Sequence, residues 1–154
     1  MRIAYFGTPA DAVAPLRAVV DAGHEVAMVV TQPDRRRGRG GATLPSPVKA
    51  AAEELDLPVR APARARELVD ELTALDLDAG VVVAFGQLLP PAVLATARHG
   101  FVNLHFSLLP RWRGAAPVER AMLAGDAETG VCVMAVEEGM DTGAVFARVA
   151  TPID

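Results

Sequence analysis

Asn103 and His105 are the side chains of this sequence whose types and spacing best suit catalysis. They stand two residues apart at the end of an apolar segment that predicts a strand, and alternate residues of a strand point to the same face. An amide can donate a hydrogen bond to a developing oxyanion, and an imidazole can donate or carry a proton. The pair therefore indicates a polar reaction at a carbonyl group, the alternative being that His105 is a structural histidine.

A third polar group, Asp141, lies in a segment with two glycines, residues 138–143, where a carboxylate can approach the imidazole. Taken alone, an aspartate in such a segment is more often a simple turn residue. An Asn-His-Asp set can also bind a metal, since imidazole and carboxylate are acceptable zinc ligands. We favour a site without metal, because only one of the three groups is a strong nitrogen ligand.

Alternating strands and helices must position these side chains. The hydrophobic patterns predict strands at residues 3–6, 26–30, near 59, 80–85, 101–104, 129–136 and 144–149, and helices at 9–21, 46–55, 64–75, 91–97 and 115–123. Thr8 is predicted to cap the first helix and Ser46 the second, each followed by a proline. The repeated strand-helix-strand order predicts an α/β fold with a doubly wound, mostly parallel sheet, and the last two strands predict an antiparallel hairpin.

The carboxyl ends of the predicted strands carry polar or glycine residues. Gly7, Thr31, the pair 85–86 and the segment 103–107 all fall at such strand ends. In open α/β sheets, ligands bind in the crevice outside the carboxyl ends of the strands, so we expect one shared site there. The segment 7–9 lacks the further glycines of a dinucleotide-binding fingerprint, which argues against a nicotinamide enzyme.

A Gly-rich segment, residues 32–45, interrupts the alternation of elements and carries four arginines. They are Arg35, Arg36, Arg37 and Arg39. So long a loop inside a compact domain is usually functional or disordered. Arginine suits bidentate contact with phosphate, so the segment indicates a clamp on nucleic acid, the alternative being a solvated surface segment.

Composition restricts the class of protein. The chain has 154 residues, of which 51% are hydrophobic, and a formal net charge of -4. This length suits one domain with a sizeable core, and so mild a charge gives no overall attraction to nucleic acid or to an anionic membrane. The single cysteine, Cys132, precludes an intrachain disulfide and suits a reducing compartment. Since no run of about twenty apolar residues predicts a membrane span, we expect a cytoplasmic protein.

The string Asn-x-His-x-Ser-Leu-Leu-Pro at residues 103–110 resembles the signature of formyltransferases that use 10-formyltetrahydrofolate. Five further segments are similar to the branch of this family that formylates methionyl-tRNA, and they are Gly7–Pro9, Thr31–Arg35, Ser46–Lys49, Arg113–Pro117 and Asp141–Gly143. These segments run in colinear order through the chain. The resemblance implies a Rossmann-like formyltransferase fold and a site without metal.

The resemblance also implies a reaction and the residues that perform it. A free amine attacks the formyl carbon of the co-substrate 10-formyltetrahydrofolate, and the tetrahedral intermediate carries a negative oxygen. Asn103 and protonated His105 are implied to hold this oxygen. Asp141 is implied as the third catalytic residue, which orients the imidazole and helps a proton to reach the departing folate nitrogen, rather than a simple turn residue.

Binding residues follow from the same resemblance. Eight residues are implied to line the pterin and formyl pocket, namely Phe85, Gly86, Gln87 and Leu88 on one wall and Ser107, Leu108, Leu109 and Pro110 on the other. The arginine segment is implied to insert at the acceptor end of initiator tRNA, with Arg39 at the position of the family's key arginine. The implied partners are folate and initiator methionyl-tRNA, and we expect a monomer without a membrane partner.

Relatives of this type are longer than the present chain. They complete the catalytic domain and add a β-barrel domain that helps to grip tRNA, so residues 1–154 are expected to form an incomplete catalytic domain without that barrel. Two alternatives stay open. One is a formyltransferase acting on another amine, glycinamide ribonucleotide or an amino sugar-nucleotide, and the other is a non-catalytic folate- or RNA-binding fragment.

Overall fold

The computed structural model describes residues 1–36 and 43–153. The chain divides into two compact units, which we call unit 1 (Met1–Phe101) and unit 2 (Val102–Asp154). The strands are β1 (Arg2–Gly7), β2 (Glu25–Val30), β3 (Arg35–Arg36), β4 (Thr43–Leu44), β5 (Val59–Arg60), β6 (Ala79–Val83), β7 (Phe101–His105), β8 (Glu128–Ala135) and β9 (Val145–Pro152). The α-helices are α1 (Val13–Asp21), α2 (Pro47–Glu54), α3 (Val69–Ala74), α4 (Pro91–Leu94) and α5 (Pro117–Leu123).

Unit 1 is built on four parallel strands in the order β5-β2-β1-β6. Parallel strands are covered on both faces by their crossover helices, so they consist of nearly continuous apolar runs. β1 follows this rule, because its residues from Ile3 to Gly7 are all buried. The predicted α/β class with parallel strand-helix-strand units is confirmed.

Aromatic rings fill the core of unit 1. The ring of Phe6 meets those of Phe85 and Phe101 edge to face, with centroids 5.3 and 5.5 Å apart, which is a favoured geometry for aromatic pairs. Gly80 in β6 makes room for Phe101, since a Cβ at position 80 would lie 2.1 Å from a ring carbon of that residue.

The two predicted helix caps had different outcomes. Ser46 caps α2 as predicted, because its Oγ accepts a hydrogen bond from the Lys49 N–H at 3.0 Å and Pro47 is the first helical residue. The prediction for Thr8 was wrong. Its Oγ1 donates to the carbonyl of Phe85 at 3.0 Å, so the hydroxyl is engaged at the end of β6, and α1 begins only at Val13 after a short 3-10 helix.

Unit 2 contains the antiparallel strands of the chain's C-terminal third. β7 pairs with β8, and β8 pairs with β9, both antiparallel, so the predicted hairpin is confirmed. Along β8 the buried positions alternate with half-buried ones, and the buried residues are Gly130, Cys132 and Met134. β9 is exposed along its whole length.

The arginine segment contains a short antiparallel pairing that its sequence does not predict. Backbone pairs join Arg35 to Leu44 and Arg36 to Thr43. Arg37 and Arg39 lie outside the described residues. Within residues 1–36 and 43–153, no helix has both the length and the apolar character that crossing a membrane requires.

Candidate active site

His105 ends β7 and is held from both sides of its ring. Its side chain is only 7% exposed, and its Nε2 lies 2.9 Å from the carbonyl oxygen of Trp112. A carbonyl can only accept a hydrogen bond, so Nε2 carries the hydrogen of this contact. The other ring nitrogen, Nδ1, lies 3.6 Å from Asp141 Oδ2. The imidazole therefore donates through Nε2 and turns Nδ1 towards a carboxylate.

Asp141 owes its position to an unusual backbone conformation and to one strong contact. Its φ is +51°, a left-handed value that aspartate adopts more readily than most residues. The carboxylate Oδ2 accepts a hydrogen bond of 2.7 Å from the Gly114 N–H. At 3.6 Å the approach of Oδ2 to His105 Nδ1 is a close contact rather than a hydrogen bond. The structure thus brings together the aspartate and the histidine predicted from the sequence.

Asn103 shares a face of β7 with His105, as the two-residue period predicts. In the ladder with β8, Asn103 pairs with Met134 and His105 with Cys132, and residues directly opposite each other in an antiparallel pair point to the same face. Asn103 is half-buried. An amide donor and an imidazole on one strand face can act together on a developing negative charge.

The loop after β7 brings Trp112 and its neighbours close to the histidine. Asp126 accepts hydrogen bonds from Arg111 Nε at 2.8 Å, from Arg111 Nη2 at 2.6 Å and from the indole N–H of Trp112 at 2.7 Å. These bonds, from Arg111 first and Trp112 second, lower the pKa of Asp126 to about 2. The guanidinium groups of Arg111 and Arg120 lie 4.4 and 4.9 Å from the indole centroid, within the range of cation-π attraction.

Sequence reasoning missed the group formed by Arg111, Trp112, Arg120 and Asp126, which we call the Trp112 cluster. One signal was available, since Trp112 is the only tryptophan of the chain and stands between two arginines directly after the Ser-Leu-Leu-Pro turn. The partner Asp126 had no such signal, because its contact with the indole depends on how α5 and β8 are arranged.

The four predicted folate residues of unit 2 differ in exposure. Ser107 is fully buried, and its hydroxyl donates to the Arg111 carbonyl at 2.6 Å. Leu109 is also buried and packs with Cys132 and Met134, whereas Pro110 is exposed. Leu108 lines an open cleft of about 340 Å³ whose other walls include Arg111, Trp112 and Asp126. Of these four, Leu108 lines this cleft.

Unit 1 has a cleft of its own at the carboxyl ends of β1, β2 and β6. Its volume is about 290 Å³, and its lining consists of Thr8, Pro9, Gln32, Pro33, Asp34, Leu44, Ser46, Ala84, Phe85 and Gly86. The Phe85 carbonyl accepts hydrogen bonds from Thr8 Oγ1 at 3.0 Å and from Gln32 Nε2 at 3.1 Å. The ends of three strands are thereby joined at one oxygen atom, as expected for a ligand-binding crevice of an α/β sheet.

The four predicted folate residues of unit 1 contribute in different ways. The ring of Phe85 is buried in the core, so its backbone and that of Gly86 face the cleft. The side chain of Gln87 is engaged elsewhere, because its Oε1 accepts from the Ala65 N–H at 2.8 Å and its Nε2 donates to the Ala63 carbonyl at 3.3 Å. Leu88 is 79% exposed and presents an apolar surface to solvent.

One ion pair marks the edge of the unit 1 cleft. Lys49 Nζ lies 2.6 Å from Asp34 Oδ2, and both side chains are about three-quarters covered. The hydrogen bond with Asp34 is the main reason why the pKa of Lys49 is raised. The pair joins α2 to the start of the arginine segment. Among the residues that the structure describes, no three His, Cys, Asp or Glu side chains are grouped so that they could hold a metal ion.

A family model described as formyl transferase matches residues 1–154. The chain belongs to the formyl transferase family. This membership agrees with the resemblance at residues 103–110, and it places the pair His105 and Asp141 in a protein of a group-transfer family.

Curated relatives of this formyl transferase chain are similar along its whole length. It is 55% identical to the methionyl-tRNA formyltransferase of Rhizorhabdus wittichii, over 100% of the chain and 51% of that protein. It is 58% identical to the methionyl-tRNA formyltransferase of Synechococcus sp. (strain CC9605), over 100% of the chain and 46% of that protein. The chain therefore spans about half the length of the curated relatives it matches.

Solved structures of other formyl transferases have the same fold. The phosphoribosylglycinamide formyltransferase of Bacillus halodurans is 28% identical, with a TM-score of 0.81 over 100% of this chain and 81% of that one. Glycinamide ribonucleotide transformylase 1 of Geobacillus kaustophilus is 30% identical, with a TM-score of 0.79 over 99% of this chain and 83% of that one. The predicted Rossmann-like formyltransferase fold is confirmed.

Proposed function

We propose that this chain carries catalytic residues of a methionyl-tRNA formyltransferase, which moves a formyl group from 10-formyltetrahydrofolate to the amino group of initiator methionyl-tRNA. The observation that carries the proposal is the contact of 3.6 Å between His105 Nδ1 and Asp141 Oδ2 at the end of β7. The identity of 55% and 58% to two methionyl-tRNA formyltransferases supports the choice of acceptor.

The proposed reaction forms one carbon-nitrogen bond and breaks another. The methionyl amine attacks the formyl carbon, and the carbonyl oxygen becomes negative in the tetrahedral intermediate. The Asn103 amide and the protonated imidazole of His105 stabilise this oxygen. Collapse of the intermediate breaks the bond between the formyl carbon and the folate nitrogen, and the proton lost by the amine reaches that nitrogen.

His105 and Asp141 divide the proton handling in this proposal. Nε2 keeps its hydrogen on the Trp112 carbonyl at 2.9 Å, so Nδ1 is the nitrogen that takes up and releases a proton. Asp141 faces Nδ1 and stabilises the charged ring. Its carboxylate stays in place through the Gly114 N–H, and a water molecule links these groups to the reacting nitrogens.

Substrate-binding residues are proposed for each unit by itself. In unit 1 we infer that the predicted folate residues act through the cleft lined by Phe85 and Gly86. In unit 2 we infer that they act through Leu108, which lines the cleft beside Trp112. The arginine segment, starting at Arg35, is proposed to contact tRNA phosphates, since guanidinium groups bind them in a bidentate way. We further propose that residues 1–154 form part of the catalytic domain of a monomeric cytoplasmic enzyme. The tRNA-binding barrel is proposed to lie in the part of such enzymes that residues 1–154 do not cover.

A panel of acceptors tests this function. The chain is incubated with 10-formyltetrahydrofolate and, separately, with methionyl-tRNA, glycinamide ribonucleotide and an amino sugar-nucleotide. We expect formylation of methionyl-tRNA alone. Formylation of glycinamide ribonucleotide would instead favour the second candidate, which the solved structures at 28% and 30% identity support.

A titration separates catalysis from simple binding. A stable analogue of 10-formyltetrahydrofolate is titrated calorimetrically into the chain, and we expect saturable binding of one molecule per chain. Binding without transfer to any acceptor would support the non-catalytic alternative. A folded chain that neither binds the analogue nor transfers a formyl group would refute the proposal.

A further inference from the structure

The backbone of Trp112 lies in a conformation that its surroundings must enforce. Its φ is +62°, in the left-handed region that a bulky side chain rarely adopts. In this conformation its carbonyl meets His105 Nε2 at 2.9 Å. Whatever holds Trp112 in place therefore also decides where the hydrogen-bond acceptor of the histidine lies.

Asp126 holds the indole of Trp112 in place. Its carboxylate accepts the indole N–H at 2.7 Å and also binds Arg111 through two hydrogen bonds of 2.8 and 2.6 Å. Asp126 is itself anchored, because its backbone N–H donates to the Ala121 carbonyl at the end of α5, at 3.0 Å. A continuous set of contacts thus runs from α5 through Asp126 and Trp112 to His105.

We propose that Asp126 is a positioning residue which, through Trp112, fixes the orientation and the tautomer of the His105 imidazole. Asp126 makes no contact with the ring itself. Because the Trp112 carbonyl can only accept, its presence keeps the hydrogen of the neutral ring on Nε2. Nδ1 then remains the basic nitrogen that faces Asp141. Displacing the carbonyl removes the preference for this tautomer.

The exposure of the Arg111 and Asp126 side chains shows that this pair does not belong to the buried core. The side chain of Arg111 is 58% exposed and that of Asp126 is 16% exposed. The exposure of Arg111 leaves its ion pair with Asp126 open to solvent screening. The bond from the indole to the covered carboxylate acts on local geometry, where a displacement of about 1 Å near reacting groups can lower a rate by about a hundredfold.

Nuclear magnetic resonance of the chain with ¹⁵N-labelled histidine tests the proposal without any substrate. The nitrogen shifts of a neutral imidazole report which ring nitrogen carries the hydrogen. We expect the Nε2-H form of His105 to dominate in the unsubstituted chain and both tautomers to appear in Asp126→Ala. Asp126→Asn keeps an oxygen that can accept the indole N–H, so we expect it to retain the Nε2-H form.

A matched control comes from unit 1. Asp78 is likewise a carboxylate held by a hydrogen bond, which comes from the Arg2 backbone N–H at 2.8 Å, and this bond lowers the pKa of Asp78. Asp78→Ala should leave the His105 tautomer unchanged. If Asp126→Ala does not fold, Trp112→Phe, which removes the indole N–H and keeps an aromatic ring at this position, carries the test. A folded Asp126→Ala or Trp112→Phe chain with the histidine spectrum of the unsubstituted chain would overturn the proposal.

Steady-state kinetics test whether the position of His105 affects catalysis, and this test rests on the proposed function. We expect Asp126→Ala to lower kcat by about tenfold to a hundredfold with little change in KM, and Asp126→Asn to recover most of the loss. The two proposals fail in different ways. A folded unsubstituted chain that neither binds the folate analogue nor transfers a formyl group refutes the proposed function, whereas an unchanged tautomer in the folded variants refutes the role of Asp126.

Discussion

The two units hold their polar groups in different ways. In unit 1, the hydroxyl of Thr8 and the amide of Gln32 both donate to the Phe85 carbonyl, at 3.0 and 3.1 Å, and neither side chain changes its charge. In unit 2, His105 lies between a carbonyl and a carboxylate, and both the ring and the carboxylate can exchange protons. Unit 1 therefore holds neutral donors at its cleft, and unit 2 holds a neighbouring pair of groups that can exchange protons.

The largest expected effect tests the chemical role of unit 2. His105→Ala removes the proton carrier, so we expect kcat for formyl transfer to fall by about 10²–10⁴-fold, while the affinity for a folate analogue changes little. Steady-state kinetics and calorimetry measure the two quantities. The exposed His99 provides a control, and His99→Ala should keep full activity. If His105→Ala transfers the formyl group at the rate of the unsubstituted chain, the proposed role of unit 2 in proton transfer is wrong.

The second largest expected effect tests whether the polar groups of unit 1 stabilise its fold. Ser46→Ala removes the cap of α2 and leaves the buried hydroxyl of Thr31 without its partner at 2.7 Å. We expect the free energy of unfolding to fall by about 2 kcal/mol, as measured by urea denaturation. Thr73 is an exposed hydroxyl that donates to the Val69 carbonyl within α3, and Thr73→Ala should change stability by less than about 0.5 kcal/mol.

Gln32→Ala tests whether unit 1 acts through binding rather than through the chemical step. The substitution removes one donor from the Phe85 carbonyl beside the cleft. This bond lies within the protein and holds the Phe85 carbonyl beside the cleft, and its loss corresponds to about 1 kcal/mol, so we expect KM for 10-formyltetrahydrofolate to rise by at most about fivefold with kcat unchanged. A loss of kcat comparable to that of His105→Ala would mean that unit 1 also takes part in the chemistry.

An acid titration tests the electrostatics of the Trp112 cluster. The pKa of Asp126 is lowered to about 2 in the folded chain, against about 3.9 when unfolded. Between these values the unfolded state binds more protons, so the contribution of Asp126 is complete above about pH 4 and is lost as the pH falls towards 2. We expect urea midpoints to fall more steeply in this window for the unsubstituted chain than for Asp126→Asn. Parallel curves would contradict the lowered pKa.

The smallest effect concerns an ion pair on the surface of unit 1. Arg17 and Glu54 meet at 2.6 Å, with side chains 46% and 65% exposed. Such pairs contribute about 0.2–1 kcal/mol, so a double-mutant cycle of Arg17→Ala and Glu54→Ala should give a coupling free energy in that range. A larger coupling would show that solvent screens this pair less than its exposure implies.

Local signals account for most of the elements that the sequence predicts. Ser46 and Pro47 predict the start of α2, because the cap and its N–H partner lie within three residues of each other. The same pattern failed at Thr8, whose hydroxyl donates to a carbonyl 77 residues away. The Ser46 hydroxyl also meets Thr31 Oγ1 at 2.7 Å and still accepts the Lys49 N–H, whereas the Thr8 hydroxyl accepts the Gln32 N–H instead. A cap predicted from sequence spacing therefore holds only where the tertiary partners leave the hydroxyl turned towards the first helical N–H groups.

The sequence by itself determined that Asn103 and His105 share one face at the end of a strand, since the two-residue period of a strand requires it. Only the tertiary structure decided which atoms the imidazole meets. Trp112 and Asp141 both have left-handed backbone conformations, with φ of +62° and +51°, and their side chains are hydrogen-bonded to Asp126 and to the Gly114 N–H. No sequence period encodes such contacts, because they join residues that folding brings together from separate elements.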